Sequence, residues 1–157
     1  MSHTIVSQQS VDDEGGCWMA TLRYVEEHDA DERVSAAYDD IKAGFGNGQV
    51  PNVYKVLGNN ATILEAAVEH RHRVMEEGTL DPTAKELLAW ATVTLLNNRF
   101  GIQIHTARLK RLGFSDAEVL EALGVLQYFA GISVVINGLD MGDDVNENIK
   151  RFLKNEE

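Results

Sequence analysis

The sequence predicts an all-α protein, and three observations support this prediction. Apolar residues recur every three or four positions over several segments, the spacing of one helix face. Residues that favour helix ends bound these segments, as when Asp81 precedes Pro82. No segment shows a sustained alternation of apolar and polar residues between hairpin turns, as half-buried strands do. We therefore expect a helical bundle.

The first half of the chain contains two predicted helices. Asp31 is a capping residue for a helix that ends near Gly44. Its apolar face consists of Val34, Ala37, Tyr38 and Ile41. A glycine-rich loop and an apolar turn over residues 53–57 follow. A second helix is predicted from residue 61 to about residue 77, with Asn59 or Asn60 as its cap.

Residues 81–113 predict two consecutive helices. From Leu87 to Leu96 the side chains are apolar on almost every side, which indicates a helix buried between other helices. Asn97 and Asn98 interrupt this run, because asparagine favours caps and turns over helix interiors. The second helix continues to Gly113, a residue typical of helix C-termini.

The last part of the chain predicts one long helical region and a short final helix. Ser115 with Glu118 three positions later forms a capping box, which starts a helix. Gly131 is predicted to interrupt this helix, and the apolar residues 132–139 to resume it. A final helix is predicted to start at Asp143.

The composition fits one globular domain. The chain has 157 residues, of which 44% are apolar and 25% charged, so it can form a substantial core. We predict a single domain over residues 21–157, preceded by a polar tail or arm over residues 1–20. The net charge of -11 makes nucleic acid and anionic membrane surfaces unfavourable partners.

The cysteine content and the hydropathy predict a cytoplasmic protein. Cys17 is the single cysteine, so no disulfide forms within the chain, as is usual in a reducing compartment. No apolar run is expected to approach the length of a membrane span, and the N-terminus lacks the pattern of a signal peptide.

Three stretches, in collinear order between about Thr21 and Met141, carry a family resemblance. They are VPNVYKVLGNNATILEA, LDPTAKELLAWATVTLLNNRFGIQIHTARLKRLGFSDAEVLEAL and FAGISVVINGLDM. Together they resemble the carboxymuconolactone decarboxylase / alkylhydroperoxidase D-like family, especially its peroxidase-related branch. The resemblance implies a compact helical unit that assembles as dimers, trimers or hexamers, with the helix pair of residues 81–113 at the active site.

Redox members of this family share a Glu, eleven residues, a Cys, two residues, a second Cys, three residues and a His. On this sequence the Glu matches Glu86 and the His matches His105, but the two cysteine positions hold Asn98 and Gly101. A peroxidatic group must be a nucleophile that can be oxidised and reduced again, which amide and glycine are not. Cys17 lies far outside the motif, so thiol peroxidase activity is disfavoured.

The decarboxylase branch of the family also lacks the cysteine pair and uses acid–base residues on a lactone-acid substrate. Its pattern has a Glu four positions before the His. That position is Gly101 here, so this signature is incomplete as well. The resemblance thus implies that the chain keeps the acid and the imidazole that handle protons, but has neither the complete redox motif nor the complete decarboxylase signature.

Each candidate residue has a functional and a structural interpretation. Glu86 and His105 on adjacent helices are candidates for a tuned general base, or for a buried pair that only satisfies itself. Asn98 is a candidate for substrate binding or for helix capping, with capping preferred. Gly101 leaves room for a ligand near the backbone. His70 is a third polar group of the pocket or, more simply, an exposed helical residue.

The sequence therefore predicts an enzyme without redox thiols that acts on a small carboxylate- or carbonyl-bearing molecule. His105 is the predicted base or acid, Glu86 orients it, and Asn98 assists binding. Two alternatives remain open: a catalytically silent binding or assembly protein, and a residual alkylhydroperoxidase activity. We expect no cofactor and no metal site, because no ligand spacing is convincing, and we expect a homo-oligomer from the resemblance.

Overall fold

The computed structural model describes residues 20–46, 48–142 and 147–154. Within these ranges the chain forms helices and no strand, which confirms the all-α class. The helices are α1 (Glu32–Phe45), α2 (Asn52–Leu57), α3 (Ala61–Glu76), α4 (Pro82–Leu95), α5 (Arg99–Arg111), α6 (Asp116–Gly138) and α7 (Glu147–Leu153), with a 3₁₀ turn at Glu27–Asp29. The predicted tail (apart from Ala20), Cys17 and the predicted start at Asp143 lie outside the described residues.

Capping side chains start the helices where the sequence predicts. Asp31 Oδ1 accepts a hydrogen bond from Val34 N at 2.9 Å, and Asn60 Oδ1 accepts one from Ile63 N at 3.2 Å. The complete capping box at Ser115 starts α6. These side chains satisfy backbone N–H groups that have no partner inside the helix, so a local signal fixes where each helix begins.

Helix α1 ends at Phe45, close to the predicted end near Gly44, and is followed by Gly46, whose φ of 67° glycine adopts without a steric cost. Two segments differ from the prediction. Residues 53–57, predicted as an apolar turn, lie in α2. Gly131 lies inside α6, which is continuous from Asp116 to Gly138. One interior glycine costs about 1 kcal/mol relative to alanine, which is too little to break a long helix.

The chain divides into two compact units, the first ending at Thr79 and the second beginning at Leu80. In the first unit α1 and α2 both pack against α3. Its buried core is Val25, Val34, Ala37, Tyr38, Ile41, Val50 and Leu64. The Tyr38 hydroxyl donates to Val25 O at 2.9 Å, so the polar end of this buried ring is satisfied. The single domain over residues 21–157 stays a prediction.

The second unit is organised around α4 and α5, which pack along each other. They come very close at Gly101, where an added Cβ would lie 2.7 Å from Val93 Cγ1. Non-bonded carbon atoms do not approach this closely, so a glycine is required for the observed spacing of the two helices. The close packing holds the middle of α5 against α4, and α6 also contacts α4.

Helix α6 is apolar but exposed. Its half-buried residues are Val119, Ala122 and Leu126. Its exposed large apolar residues are Leu120, Leu123, Val125, Tyr128, Phe129, Ile132, Val134, Val135 and Ile136. A helix that is apolar on all sides is typically buried, within a protein, between protein chains or in a membrane.

The length of α6 corrects one prediction. An 18-residue window of Asp116–Gly138 has a mean hydropathy of 1.9, so by length and composition alone the helix is able to cross a membrane. The expectation that no apolar run approaches that length is therefore wrong. It failed because Gly131 divides the run in the sequence but not in the helix.

Candidate functional site

Glu86 and His105 form a direct pair inside the second unit. His105 Nδ1 lies 2.5 Å from Glu86 Oε1. The Glu86 side chain is only 7% exposed, while that of His105 is 19% exposed. A carboxylate only accepts hydrogen bonds, so with Glu86 ionised the proton lies on Nδ1 of His105. This leaves Nε2 as the ring nitrogen that can take up a proton.

Local sequence explains why the two side chains meet. Asp81 caps α4 through hydrogen bonds to its first backbone N–H groups, which fixes where Glu86 falls on the helix. The chain then reverses at Asn97, whose φ of 53° is tolerated better by asparagine than by most residues. Asn98 restarts the helix, since its Oδ1 accepts from Gly101 N at 2.9 Å. The two helices therefore face each other with the acid and the imidazole at one level.

Two further contacts surround this pair. Trp90 Nε1 donates to Thr106 Oγ1 at 3.0 Å, and Trp90 is buried. This hydrogen bond is a second polar link between α4 and α5, next to His105 in sequence. Arg108 Nη1 lies 3.9 Å from Glu86 Oε2, with its side chain 20% exposed. The second carboxylate oxygen thus faces a permanent positive charge.

Arg108 is the site residue that the sequence analysis missed. Its signal was present, because it stands three positions after His105 on the same helix, and residues at that spacing are neighbours on one face. The family motif does not include this position, and basic residues near a helix C-terminus are common for electrostatic reasons alone.

The structure gives Asn98 and Gly101 structural functions. Asn98 caps α5, which confirms the capping interpretation. Val93 occupies the space into which a Cβ at Gly101 would point, so Gly101 serves the packing of α4 on α5. A substrate contact of either residue stays a prediction.

His70 lies on α3 in the first unit and is exposed. That unit also contains a cleft of about 450 Å³, lined by Asp40, Ala43, Gly44, Val68, Glu69, Arg71, His72 and Glu76. Partial burial raises the pKa of Glu76, but hydrogen bonds from Arg71 and His72 outweigh it, so the pKa lies below its ordinary value. The charges of Glu76 and Arg71 compensate each other within the cleft. The sequence did not predict this cleft.

Among the described residues no group of three or more His, Cys, Asp and Glu side chains is arranged to hold a metal ion. The Glu86–His105–Arg108 group brings a carboxylate, an imidazole and a guanidinium together, and the first two can hold or release a proton. A neutral imidazole held in one tautomer by a buried carboxylate is a suitable general base.

Comparisons with known proteins extend this description. The model of the carboxymuconolactone decarboxylase family matches residues 61–144, more than half of the chain. The chain is also similar to the solved structure of the alkylhydroperoxidase AhpD core from Rhodospirillum rubrum, with a TM-score of 0.67 and 27% sequence identity. That match covers 81% of this chain and 96% of the other. A comparison with curated proteins finds no match.

Proposed function

Because the chain belongs to the carboxymuconolactone decarboxylase family, we propose that it is an enzyme for proton transfer, decarboxylation or lyase chemistry on a small molecule. The substrate carries a carboxylate or a carbonyl group. His105 acts through Nε2 as general base and returns the proton as general acid, and Glu86 orients the ring. We also propose that the enzyme acts in the cytoplasm, in keeping with its single cysteine.

The observation that carries this proposal is the 2.5 Å contact between His105 Nδ1 and the almost fully buried Glu86. A buried carboxylate is costly unless it is paired, and here its partners are an imidazole and a guanidinium. A buried carboxylate in direct contact with an imidazole is an arrangement found in many acid–base sites. The similar solved structure is named an alkylhydroperoxidase, which is a redox enzyme. This chain has Asn98 and Gly101 at the two cysteine positions of the redox motif, so the proposal does not include redox chemistry.

The test compares wild type with His105→Gln on a panel of lactone acids, keto acids and β-keto acids. We expect wild type to turn over at least one of them and the variant to be slower by about 100-fold or more, the usual contribution of a general base. The matched control is His28→Gln, because the His28 side chain is 79% exposed and belongs to the first unit.

Equal turnover by wild type and His105→Gln would remove His105 from the mechanism. Consumption of cumene hydroperoxide above background in the presence of a dithiol would contradict the exclusion of peroxidase chemistry. Activity lost equally in His28→Gln would show a general effect of histidine removal rather than one at the site.

A second candidate function, a catalytically silent assembly protein on the same fold, is favoured by the exposed apolar side chains of α6. Monomeric proteins rarely expose contiguous apolar patches larger than a few hundred Å², and larger patches mark interaction sites. We propose that copies of the chain associate through the exposed side chains of α6. Acidic residues flank the uncharged stretch, from Glu121 before it to Asp140 after it, which disfavours an anionic membrane surface instead.

Light scattering tests the association over a range of protein concentrations. We expect an oligomer at micromolar concentration, and a shift to smaller species in Val134→Glu, a change at a side chain that is 70% exposed. A monomeric wild type would contradict the association. Oligomers with no turnover of any panel substrate would favour the assembly function over the enzyme.

A further inference from the structure

We infer that Arg108 is a positioning residue, which keeps Glu86 ionised and thereby holds the proton of His105 on Nδ1. The inference rests on the proposed function, because it concerns the same pair of residues. It goes beyond that function by assigning a role to a residue that the family motif does not contain. It also states which protonation state of the pair is the active one.

The geometry divides the Glu86 carboxylate between two partners. His105 Nδ1 faces Oε1 at 2.5 Å, and Arg108 Nη1 faces Oε2 at 3.9 Å. Arg108 lies one helical turn after His105, so α5 presents both side chains to the same carboxylate on α4. The Arg108 side chain is 20% exposed and that of Glu86 is 7% exposed, so solvent screens their attraction only weakly.

Arg108 supplies the positive charge that balances the buried Glu86 carboxylate. A buried carboxylate without a cation nearby has a strong tendency to take up a proton. Guanidinium stays charged throughout the accessible pH range, whereas imidazole does not. Arg108 is therefore the partner that stabilises the Glu86 anion while the His105 ring is neutral, which is the state a general base requires.

Loss of Arg108 leaves two ways to remove the uncompensated charge. In one, Glu86 takes up a proton, and its hydroxyl donates to Nδ1 so that the ring proton moves to Nε2. In the other, His105 stays an imidazolium and serves as the counter-ion. Nε2 carries a proton in both cases, so this nitrogen has no free lone pair and can no longer act as the base.

The experiment measures the tautomer of His105 by NMR of the full-length protein labelled with ¹⁵N-histidine, at alkaline pH and without any ligand. The His105→Gln variant identifies the His105 signals by their absence. We expect the Nδ1–H form in wild type and a loss of about half of it or more in Arg108→Gln. Arg108→Lys keeps a positive charge and is expected to retain most of that form.

The matched control is Arg111→Gln, which removes the same charge from the same helix at an exposed position. It is expected to leave the tautomer unchanged. An unchanged tautomer in folded Arg108→Gln, or an equal change in Arg111→Gln, would overturn the inference. Circular dichroism establishes that each variant is folded.

A measurement on wild type decides the matter if Arg108→Gln does not fold. The ¹³C signal of the Glu86 carboxyl, assigned by its loss in Glu86→Gln, reports whether the group is ionised while the His105 ring is neutral. An ionised Glu86 supports the inference, and a protonated one overturns it. The tautomer measurement on folded Arg108→Gln needs no substrate, so there the inference can fail while the proposed enzyme function holds, and the reverse; a protonated Glu86 in wild type would count against both.

Once a substrate is known, kinetics provide an independent readout. Arg108→Gln is expected to lower kcat on the order of 10- to 100-fold with KM little changed, the usual range for a residue that orients a functional group. Arg108→Lys is expected to recover part of the loss. A change confined to KM would assign Arg108 to substrate binding and would overturn the positioning role.

Discussion

The two units of this chain differ in what they bury. The first unit has an apolar core in which Tyr38, Ile41 and Leu64 are fully buried. The second unit buries the carboxylate of Glu86 between α4 and α5, while most of its long apolar helix α6 is exposed. A closed apolar core stabilises a fold by itself. A buried charge is weak evidence for stability, and an exposed apolar helix typically marks a site where a partner binds. The larger cluster of buried apolar side chains thus lies in the first unit, and the buried carboxylate on which the proposed chemistry depends lies in the second.

The largest expected effect tests which apolar side chains contribute to the free energy of unfolding. Leu64 is 0% exposed and Leu120 on α6 is 68% exposed. Leu64→Ala is expected to lower the free energy of unfolding by about 2–5 kcal/mol, because it leaves a cavity in the core. Leu120→Ala is expected to change it by less than about 0.5 kcal/mol at low protein concentration. Denaturant unfolding of both variants measures this difference, and equal losses would contradict the contrast between the units.

The next effect compares two helical glycines of the second unit. Gly101→Ala would bring a Cβ to 2.7 Å from Val93 Cγ1, so α4 and α5 must separate. We expect a loss of about 1–3 kcal/mol, the usual cost of overpacking. Gly131 has nothing within 4 Å of an added Cβ, and Gly131→Ala is expected to gain up to about 1 kcal/mol of helix stability. Thermal unfolding of dilute protein measures the stability of both variants. A stabilising effect of Gly101→Ala would show that α4 and α5 are not closely packed at this position.

A smaller effect concerns the cap that positions the site. Asn98→Ala removes the acceptor for Gly101 N and is expected to cost about 1 kcal/mol. Asn98→Ser is the matched control, since serine caps helices about as well as asparagine does. Unfolding experiments on both test the capping role. If Asn98→Ser keeps wild-type stability but loses turnover of an identified substrate, Asn98 also contacts that substrate.

These contrasts explain which features the sequence predicted. Helix starts at Asp31 and Ser115 depend on neighbours three positions away, so they can be read from the sequence directly. The meeting of Glu86 and His105 followed from a motif spacing on two consecutive helices. The contact of Arg108 with Glu86 depends on how α4 and α5 pack, which the three-residue spacing from His105 along α5 does not determine.

Two glycines of the second unit show what packing adds to the sequence. The missing side chain of Gly101 allows the close approach of Val93, an interhelical contact that spacing within one helix does not reveal. Gly131 was expected to break a helix, but helix formation is cooperative over many residues and tolerates one unfavourable position.

The smallest expected effect concerns an ion pair on the surface, in contrast to the buried pair of Glu86 and Arg108. Arg33 joins α1 to α3 in the first unit, with Nη2 at 2.5 Å and Nε at 2.9 Å from the two carboxylate oxygens of Glu65. The hydrogen bonds from Arg33 hold the pKa of Glu65 below its ordinary value of 4.5. A carboxylate with a lowered pKa in the folded state stabilises the fold above its ordinary pKa, and this contribution disappears as the pH falls through the lowered value.

The test is the variant Glu65→Gln, unfolded by denaturant at neutral pH and again well below pH 4.5. At neutral pH we expect wild type to be slightly more stable, and this difference to shrink at high salt, because both side chains are largely in solvent. At the acidic pH the difference is expected to vanish, since Glu65 is then protonated in both states. A difference that grows as the pH falls would have the wrong sign for a carboxylate with a lowered pKa.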